Sequence, residues 1–424
     1  MEKRKLSALL GSICLLLVLA TLPFMAACAE KEPAPAPAPA PAPASSIPDK
    51  IVFGQAICLS GPQSAATAMI ETPCLEVWLE EVNAKGGLYV PQYNKRLPVE
   101  VIRYDDKSDV GTTVKLWEKL INEDKVDLML PPDGTAYHLA VAPQSTKYKM
   151  PLVCITCRSE EAREMAPRFP YFFLTMTQPR EAGKALIDLM VRVGVKTAAM
   201  IYVAHPYGID FTSCTAPLLG PAGIDLVMIK SYPFNPTDLS PLLKEAKATN
   251  ADAFIAHSYI LDTLLIPGQM MEIDFNPKFF FLNLGVVWPS FSGKYGFEKI
   301  EGIISTGGWN VGLPYPGVED FHDKFLKVYG QPPDAQSAPC MYATLQVYEQ
   351  AIEKVGFEDR EKLRDCIATE TFDTVMGPVK FEDQFNVYTP FQIGQWQNGV
   401  FEAIEPQEPG TAAVQYPKRP WPKS

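Results

Sequence analysis

The sequence predicts an α/β protein made of two doubly wound lobes. Short apolar runs typical of strands alternate with segments of helical periodicity over residues 51–156, and the same alternation recurs over residues 198–282. Such alternation is typical of parallel strands joined by right-handed helical crossovers. The chain has 424 residues, of which 47% are hydrophobic and 21% are charged, so it is long enough for two or three globular domains.

The N-terminal segment has the pattern of an export signal. Basic residues 3–5 precede a largely apolar run over residues 6–27, and Cys28 follows small residues. This ending is similar to the lipobox of bacterial lipoproteins, although Met25 stands where that pattern has leucine. We expect a lipoprotein signal peptide over residues 1–27, lipid on Cys28 and a location on the periplasmic or cell-surface side of the membrane. An uncleaved transmembrane anchor is the alternative, since the apolar run approaches spanning length.

A spacer follows the lipidation site. Proline and alanine alternate within residues 31–46, which favours an extended polyproline-like conformation. The repeat lacks the charged PxxP pattern of a ligand for proline-binding domains. We therefore expect residues 28–48 to be the lipidated cysteine and a Pro/Ala linker.

The first predicted lobe begins with a strand over residues 51–57. A helix follows, because one helix face collects apolar residues at spacings i, i+3, i+4 and i+7, namely Leu75, Trp78, Leu79 and Val82. The remaining strands are expected over residues 99–104, 126–130 and 152–156, with helices over residues 114–121 and 138–148.

The second predicted lobe repeats this order. Its strands are expected over residues 198–203, 224–229, 253–257 and 278–282, with helices ending near residue 219 and covering 239–248 and 261–273. The last of these strands contains a continuous apolar run, which fits a sheet covered on both faces. After a further strand near residues 302–306, helices are expected over residues 318–329 and 338–355.

Two such lobes predict a ligand-binding cleft. In open parallel sheets, ligands bind beyond the carboxyl ends of the strands, where helix N-termini present free N–H groups. Two sheets that face each other at these ends enclose a cleft between them. The fold alone does not identify the ligand.

Charge and motifs exclude other classes of function. The net charge is −11 and there is no strongly basic cluster, so we expect no nucleic-acid partner. The chain has no GxSxG, HExxH, P-loop or GxGxxG motif, so we expect neither an enzyme nor a bound cofactor. The four histidines lack metal-site spacing, and no second CxxC accompanies Cys154 and Cys157, so no metal site is expected.

Several segments, in order, resemble the leucine/isoleucine/valine-binding family of periplasmic solute receptors. They are Leu59-Ser60-Gly61-Pro62, Glu81-Val82-Asn83-Ala84-Lys85-Gly86-Gly87-Leu88, Tyr207-Gly208, Asp238-Leu239-Ser240 and Met376-Gly377-Pro378-Val379-Lys380-Phe381. The resemblance extends over essentially the whole chain after the linker. It implies a type I periplasmic binding protein, which captures a solute for the permease subunits of an ABC importer.

The resemblance also implies a topology. It consists of two Rossmann-like lobes joined by a three-strand hinge, which closes around a solute. The first lobe would comprise residues 49–177 and 308–376. The second lobe would comprise residues 178–307 and 377–424.

The family's binding loops imply a set of site residues. A ligand carboxylate would be held by loops after two first-lobe strands, which here contain Thr135, Ala136, Cys157 and Arg158. The second lobe would contribute the aromatic side chains Tyr207 and Tyr259 and the loop that contains Asn283. Trp309 lies near a predicted crossover and is a candidate wall of the cleft.

Two departures from the family bear on the ligand. The acid that pairs with an amino acid's ammonium falls near Leu284, where there is no carboxylate, and the aromatic residue of the first loop falls near Ala66. A buried ammonium without a carboxylate partner would cost several kcal/mol. We therefore expect a carboxylate with an apolar or aromatic body. An amino acid is the alternative, with Asp210 or Glu160 supplying the charge.

Each candidate also has a structural interpretation. Arg158 can form a bidentate pair with a carboxylate, or pair with Glu160 or Glu161 at the surface. Thr135 can cap the helix through residue 138. The two tyrosines can pack within their lobe, and a tryptophan at position 309 can belong to a core.

Two questions stay open at the level of the sequence. A local Cys154-Cys157 disulfide is not excluded by the spacing of the two residues. The same fold also serves ligand-sensing subunits of membrane receptors, so sensing is the alternative to import.

Overall fold

The computed structural model describes residues 47–388, 392–407 and 409–422. The expected signal peptide, Cys28 and nearly all of the linker lie outside these residues. The strands, in chain order, are β1 (Ile51–Ile57), β2 (Leu88–Val90), β3 (Lys95–Leu97), β4 (Val99–Asp105), β5 (Leu128–Met129), β6 (Leu152–Cys154), β7 (Phe172–Leu174), β8 (Thr197–Val203), β9 (Asp225–Tyr232), β10 (Ala253–His257), β11 (Phe279–Leu282), β12 (Ile304–Thr306), β13 (Thr371–Thr374), β14 (Gly377–Glu382), β15 (Phe385–Asn386), β16 (Ile393–Gln397) and β17 (Val400–Glu405).

The helices surround these strands. In chain order they are α1 (Ser64–Met69), α2 (Glu71–Ala84), α3 (Val110–Asn122), α4 (Thr135–Lys147), α5 (Glu160–Met165), α6 (Pro179–Arg192), α7 (Pro206–Leu219), α8 (Ser240–Ala248), α9 (Ile260–Thr263), α10 (Ile266–Glu272), α11 (Pro289–Tyr295), α12 (Phe297–Ile300), α13 (Val318–Tyr329), α14 (Ser337–Val355) and α15 (Arg360–Thr369), with a 3-10 turn at Ala166–Arg168.

Besides the two-stranded sheet β2-β3, the first lobe contains two neighbouring sheets. One has the order β4-β1-β5 and is parallel, and the other has the order β13-β14-β15-β7-β6. Tyr348 of α14 joins them, because its hydroxyl accepts the Val153 N–H at 3.1 Å and lies 2.9 Å from the Pro151 carbonyl oxygen and 3.2 Å from that of Met129. A single buried side chain therefore bonds to the backbone of both sheets.

Helices cover both faces of the first lobe. Phe53, Leu128 and Val153 pack on the side of α2, α13 and α14, whereas Met129 and Leu152 pack on the side of α3 and α4. Alternate strand residues point to opposite faces, so neighbouring residues such as Leu128 and Met129 belong to different cores. This is the doubly wound arrangement that the sequence predicts.

The second lobe is built on one sheet with the order β17-β16-β12-β11-β10-β8-β9. The strands from β12 to β9 are parallel, and β16 and β17 extend the sheet in antiparallel pairing. Helices α6 and α7 cover one face and α8 and α10 cover the other, again with alternate strand residues in separate cores. The predicted helix over residues 261–273 is two helices, and Pro267 lies in the first turn of the second, where its missing N–H costs no bond.

The third crossing between the lobes differs from the expected one. The family resemblance implied that residues 377–424 belong to the second lobe, but β14 pairs with β15 and β15 pairs with β7, all within the first lobe. Ile393, the first residue of β16, is again part of the second-lobe sheet. The expected boundary at residue 377 is wrong because residues 377–386 complete the first-lobe sheet.

Within residues 47–388, 392–407 and 409–422, no helix combines the length and the apolar character that a membrane crossing requires.

Candidate functional site

Two loops at the carboxyl ends of β5 and β6 are bonded to each other. The Gly134 N–H donates to Thr156 Oγ1 at 2.7 Å, and Thr156 Oγ1 donates to Asp133 Oδ1 at 2.8 Å. Thr135 Oγ1 lies 3.3 Å from the Thr156 carbonyl oxygen and accepts the Arg158 backbone N–H at 3.2 Å. The two loops that the sequence singled out are therefore held side by side.

Thr135 serves to hold these loops together. Its hydroxyl has one proton, which is directed to Thr156, and its oxygen receives the Arg158 N–H. The expectation that Thr135 caps α4 is wrong, because Gly134 occupies the N-cap position with φ of +92°, a conformation that suits glycine. Ala136, in the first turn of α4, is exposed.

Arg158 is buried where the two lobes meet. Its side chain is 5% exposed, its Nη1 lies 3.4 Å from Thr306 Oγ1 of the second lobe, and its guanidinium stands 4.7 Å from the centre of the Phe211 ring. Its Nε and Nη2 have no acceptor within the described ranges. Burial lowers the pKa of this group. A surface pair of Arg158 with Glu160 is excluded, because Glu160 pairs with Arg163 and Arg180 instead.

Aromatic side chains of the second lobe form a wall beside Arg158. Tyr207 contacts Phe211 at 4.8 Å between ring centres and Tyr259 at 5.5 Å, and Phe234 contacts Tyr259 at 5.6 Å. Tyr207 lies at the start of α7 and Tyr259 just before α9, each directly after a strand of the parallel sheet. We call Tyr207, Phe211, Phe234 and Tyr259 the aromatic wall.

The polar groups of the side chains in this region are only partly hydrogen-bonded. Burial raises the pKa of both Tyr207 and Tyr259. The Tyr207 hydroxyl has no acceptor for its proton among the described residues. Asn283 is fully buried, and its Oδ1 accepts a hydrogen bond from Thr306 at 3.2 Å, while its Nδ2 has no acceptor in the described part of the chain.

These unpaired donors converge on one place. Arg158 and Tyr207 both contact Phe211, and Arg158 and Asn283 both contact Thr306. A buried donor without an acceptor costs about 1–3 kcal/mol, more when it is charged. A carboxylate offers acceptors only, and a guanidinium fork matches its two oxygens. The arrangement can therefore receive an anionic group against an aromatic surface.

Two of the expected site residues lie elsewhere. Trp309 is 2% exposed in the first-lobe core, where its indole N–H donates to the Val375 carbonyl oxygen at 2.9 Å and its ring contacts Phe321. The expectation that Trp309 lines the cleft is wrong, because its side chain points into the lobe. The Cys157 side chain is also in a core, at 1% exposure, so only its backbone belongs to the loop.

A contact between the lobes was not expected from the sequence. Ser159 Oγ donates to Asp210 Oδ2 of α7 at 2.8 Å, directly beside Arg158. Asp210 and Glu160, the two acids considered as partners of a ligand ammonium, thus already have partners in the protein. The sequence does contain a signal for this contact. Ser159 lies beside the loop arginine, Asp210 lies one turn into α7, and each follows the end of a strand.

The cysteines are unpaired in the described residues. Cys58, Cys74, Cys154, Cys157, Cys214, Cys340 and Cys366 are all free, so Cys154 and Cys157 form no disulfide. Burial raises the pKa of the thiols of Cys154 and Cys157, which makes them poor nucleophiles.

Comparisons with known proteins agree with this fold. Residues 50–400 match the family model described as periplasmic binding protein. The chain is 24% identical over 389 residues to Leu/Ile/Val-binding protein homolog 7 of Brucella suis, which covers 86% of this chain and 92% of that protein.

Two solved structures share the fold. One is the branched-chain amino acid transporter substrate-binding protein LivJ of Streptococcus pneumoniae in complex with isoleucine, with a TM-score of 0.70, 20% identity and coverage of 84% of this chain and 98% of that one. The other is a solute-binding protein of an ABC transporter from Rhodopseudomonas palustris in complex with 3,4-dihydroxybenzoic acid, with a TM-score of 0.70, 19% identity and coverage of 88% and 99%. Because the family model matches most of the sequence, this chain belongs to the periplasmic binding protein family.

Proposed function

We propose that this protein captures a small carboxylate with an apolar or aromatic body outside the cytoplasm and delivers it to the permease subunits of an ABC importer. The observation that carries the proposal is the group of unpaired donors on Arg158, Asn283 and Tyr207, which lies against the aromatic wall between the lobes. Binding and release are its whole activity, with no catalytic step.

The related structures support the class of solute. The structural relative from Streptococcus pneumoniae holds isoleucine and the one from Rhodopseudomonas palustris holds 3,4-dihydroxybenzoic acid, and both solutes join a carboxylate to an apolar or aromatic body. Both relatives are named as substrate-binding components of transporters, which supports import over sensing.

Attachment and domain division complete the proposal. We place the first lobe at residues 49–177 with 308–386 and the second at residues 178–307 with 392–422, joined by crossings that close around the solute.

The lipobox-like sequence supports a lipid anchor at Cys28, and membrane fractionation of cells that express Cys28→Ser would show whether the protein is released.

Replacement of Arg158 tests the binding proposal. Arg158→Met keeps an unbranched stem against Phe211 and removes the charge, so a buried solute carboxylate would lose its partner at a cost of about 2–5 kcal/mol. We expect affinity for aliphatic and aromatic carboxylates to fall at least about 30-fold in isothermal titration calorimetry.

Two controls accompany this measurement. Arg168→Ala removes an exposed arginine of the first lobe, and it should leave affinity unchanged. The unfolding free energy of Arg158→Met should equal or exceed that of the wild type, because a buried charge with unpaired donors has been removed. Equal affinity in Arg158→Met and the wild type would contradict the proposed carboxylate site.

A further inference from the structure

A second group of unpaired polar atoms lies in the first lobe. Glu71, the first residue of α2, is fully buried, and apart from a proton that it can share with the Asp133 carboxyl, its carboxyl oxygens have no donor from another described residue. Thr67 is 1% exposed, and its Oγ1 is likewise without a partner there. Thr67 precedes Glu71 by four residues in consecutive helices, which places the two side chains on a similar face.

This group is joined to the candidate site through Asp133. The Glu71 carboxyl lies beside that of Asp133, so the two can share one proton, and burial together with this neighbour raises the pKa of Glu71. Asp133 accepts the hydrogen bond from Thr156, in the loop that leads to Arg158. Tyr259 of the aromatic wall is close enough to Asp133 for that carboxylate, after burial, to raise its pKa.

The protein does not balance the charge of this group. Within the described ranges, no lysine, arginine or histidine forms an ion pair with Glu71 or Asp133. Arg103 is the cation whose charge most affects Glu71, but its Nη2 donates to Thr72 Oγ1 at 3.1 Å. Buried acceptors without donors are costly, and a carboxyl group next to a second one is more so. Acceptors here thus complement the donors at Arg158.

We propose that the solute carries, besides its carboxylate, a hydroxyl or ammonium group that donates hydrogen bonds to Glu71 and Thr67. This proposal rests on the proposed function and adds a second polar contact to it. Position 284 is a leucine, so the loop after β11 offers no acid there, whereas Glu71 supplies an acidic side chain from the first lobe.

Matched pairs of solutes test the proposal in the wild-type protein. Leucine and 4-methylpentanoate differ by the ammonium group, and 3,4-dihydroxybenzoate and benzoate differ by hydroxyl groups. We expect the donor-bearing member of at least one pair to bind at least about 10-fold more tightly in calorimetry, because a hydrogen bond to a charged acceptor contributes about 1.5–3 kcal/mol.

Variants of Glu71 distinguish the two kinds of donor. Glu71→Gln keeps an acceptor oxygen but not the charge, so it should reduce a preference for leucine to less than about 3-fold and leave a preference for dihydroxybenzoate within about 3-fold of its wild-type value. Glu71→Leu should abolish either preference. Glu349→Gln is the control, since Glu349 is a half-buried glutamate of the same lobe that accepts from Trp78 Nε1 at 3.0 Å, and it should alter no preference.

The outcomes separate this inference from the proposed function. If benzoate and 4-methylpentanoate bind as tightly as their partners, or if Glu71→Leu retains the preference, the second polar contact is wrong and the carboxylate site stands. If none of the four solutes binds, both proposals fail.

Discussion

Arg158 and His257 are both buried polar side chains, but their surroundings differ. Arg158 keeps a partner in Thr306 and two unpaired donors that face the aromatic wall. His257, at the end of β10, is 1% exposed between Phe211 and Phe281, and neither ring nitrogen has a partner among the described residues. The first arrangement suits a charged ligand, whereas the second requires a neutral ring.

His257 should make the fold sensitive to acid. Burial lowers the pKa of His257 from 6.5 to about 3. Below pH 6.5, His257 is therefore protonated in the unfolded chain but stays neutral in the folded one. The unfolding free energy therefore falls as pH decreases from about 6.5 towards 3, and the loss from this one group between pH 7 and pH 5 is about 2 kcal/mol.

The variant His257→Phe tests this effect by urea unfolding at pH 7 and pH 5. We expect it to lose about 2 kcal/mol less than the wild type between these values, since the variant has no proton to gain at this position. His138, whose pKa burial lowers to about 4, remains in the variant and should still contribute acid sensitivity. An identical loss in variant and wild type would show that His257 titrates normally in the folded protein.

Individual site residues were predicted unevenly from the sequence. The loops around Thr135 and Arg158 could be located because they follow apolar strands, and strand ends define the edge of a parallel sheet. Trp309 was misplaced because a Gly-Gly-Trp segment gives no information on which way the ring points. Glu71 was missed because a single glutamate in a helical segment is ordinarily a surface residue.

At the scale of the elements, the turn after α2 illustrates a strict local requirement. Gly86 and Gly87 both have positive φ, of 87° and 101°. A Cβ on Gly87 would lie 1.8 Å from the Leu97 carbonyl oxygen, whereas a Cβ on Gly86 would meet nothing within 4 Å. The strand β2 can begin beside β3 only because residue 87 has no side chain.

This difference gives a matched pair of substitutions. Gly86→Ala should reduce the unfolding free energy by about 1–2 kcal/mol, the cost of a left-handed conformation for an L-residue. Gly87→Ala adds a backbone collision and should cost clearly more, or prevent accumulation of folded protein. Chemical denaturation of both variants checks the prediction, which fails if the two substitutions cost the same.

The elements themselves were predicted best where periodicity is strong. The parallel strands β8, β10 and β11 were located well because buried apolar runs are conspicuous. The hairpin of β2 and β3 and the strands β13 to β17 were not assigned, since short strands with mixed polarity lack a clear period. This is also why the third crossing was placed at residue 377, ahead of strands that the sequence did not reveal.

At the scale of the whole molecule, several polar contacts between described residues join the two lobes near the site, among them the ion pairs of Glu160 with Arg180 and of Arg163 with Glu181. Ser159 donates to Asp210, and Arg158 reaches Thr306 and Phe211. These contacts link loops of the first lobe to β12 and α7 of the second. Lobe closure should therefore depend on them.

Removal of the Ser159 contact should weaken binding without touching the solute. In Asp210→Ala the closed arrangement loses about 1 kcal/mol relative to the open one, so we expect affinity for a bound carboxylate to fall by up to about 5-fold. Small-angle X-ray scattering should show a larger radius of gyration at subsaturating solute.

A neighbouring variant controls for changes in α7 itself. Ser213→Ala removes a hydroxyl that bonds only to the Asp210 carbonyl oxygen of the same helix, at 2.8 Å, apart from a 4.0 Å contact with Cys214, and it should leave affinity and scattering unchanged. Equal behaviour of the two variants would mean that the Ser159 contact does not influence closure.

If the protein serves import as proposed, the donors of Arg158, Asn283 and Tyr207 also affect how often an empty receptor closes. If the lobes shut on an empty cleft, these groups would leave water without gaining acceptors, at about 1–3 kcal/mol each. An unloaded receptor is thereby biased towards the open shape, and a loaded one towards the shut shape. A transporter that recognises only the closed receptor would then hydrolyse ATP mainly when solute is bound, and would seldom run a transport cycle without solute.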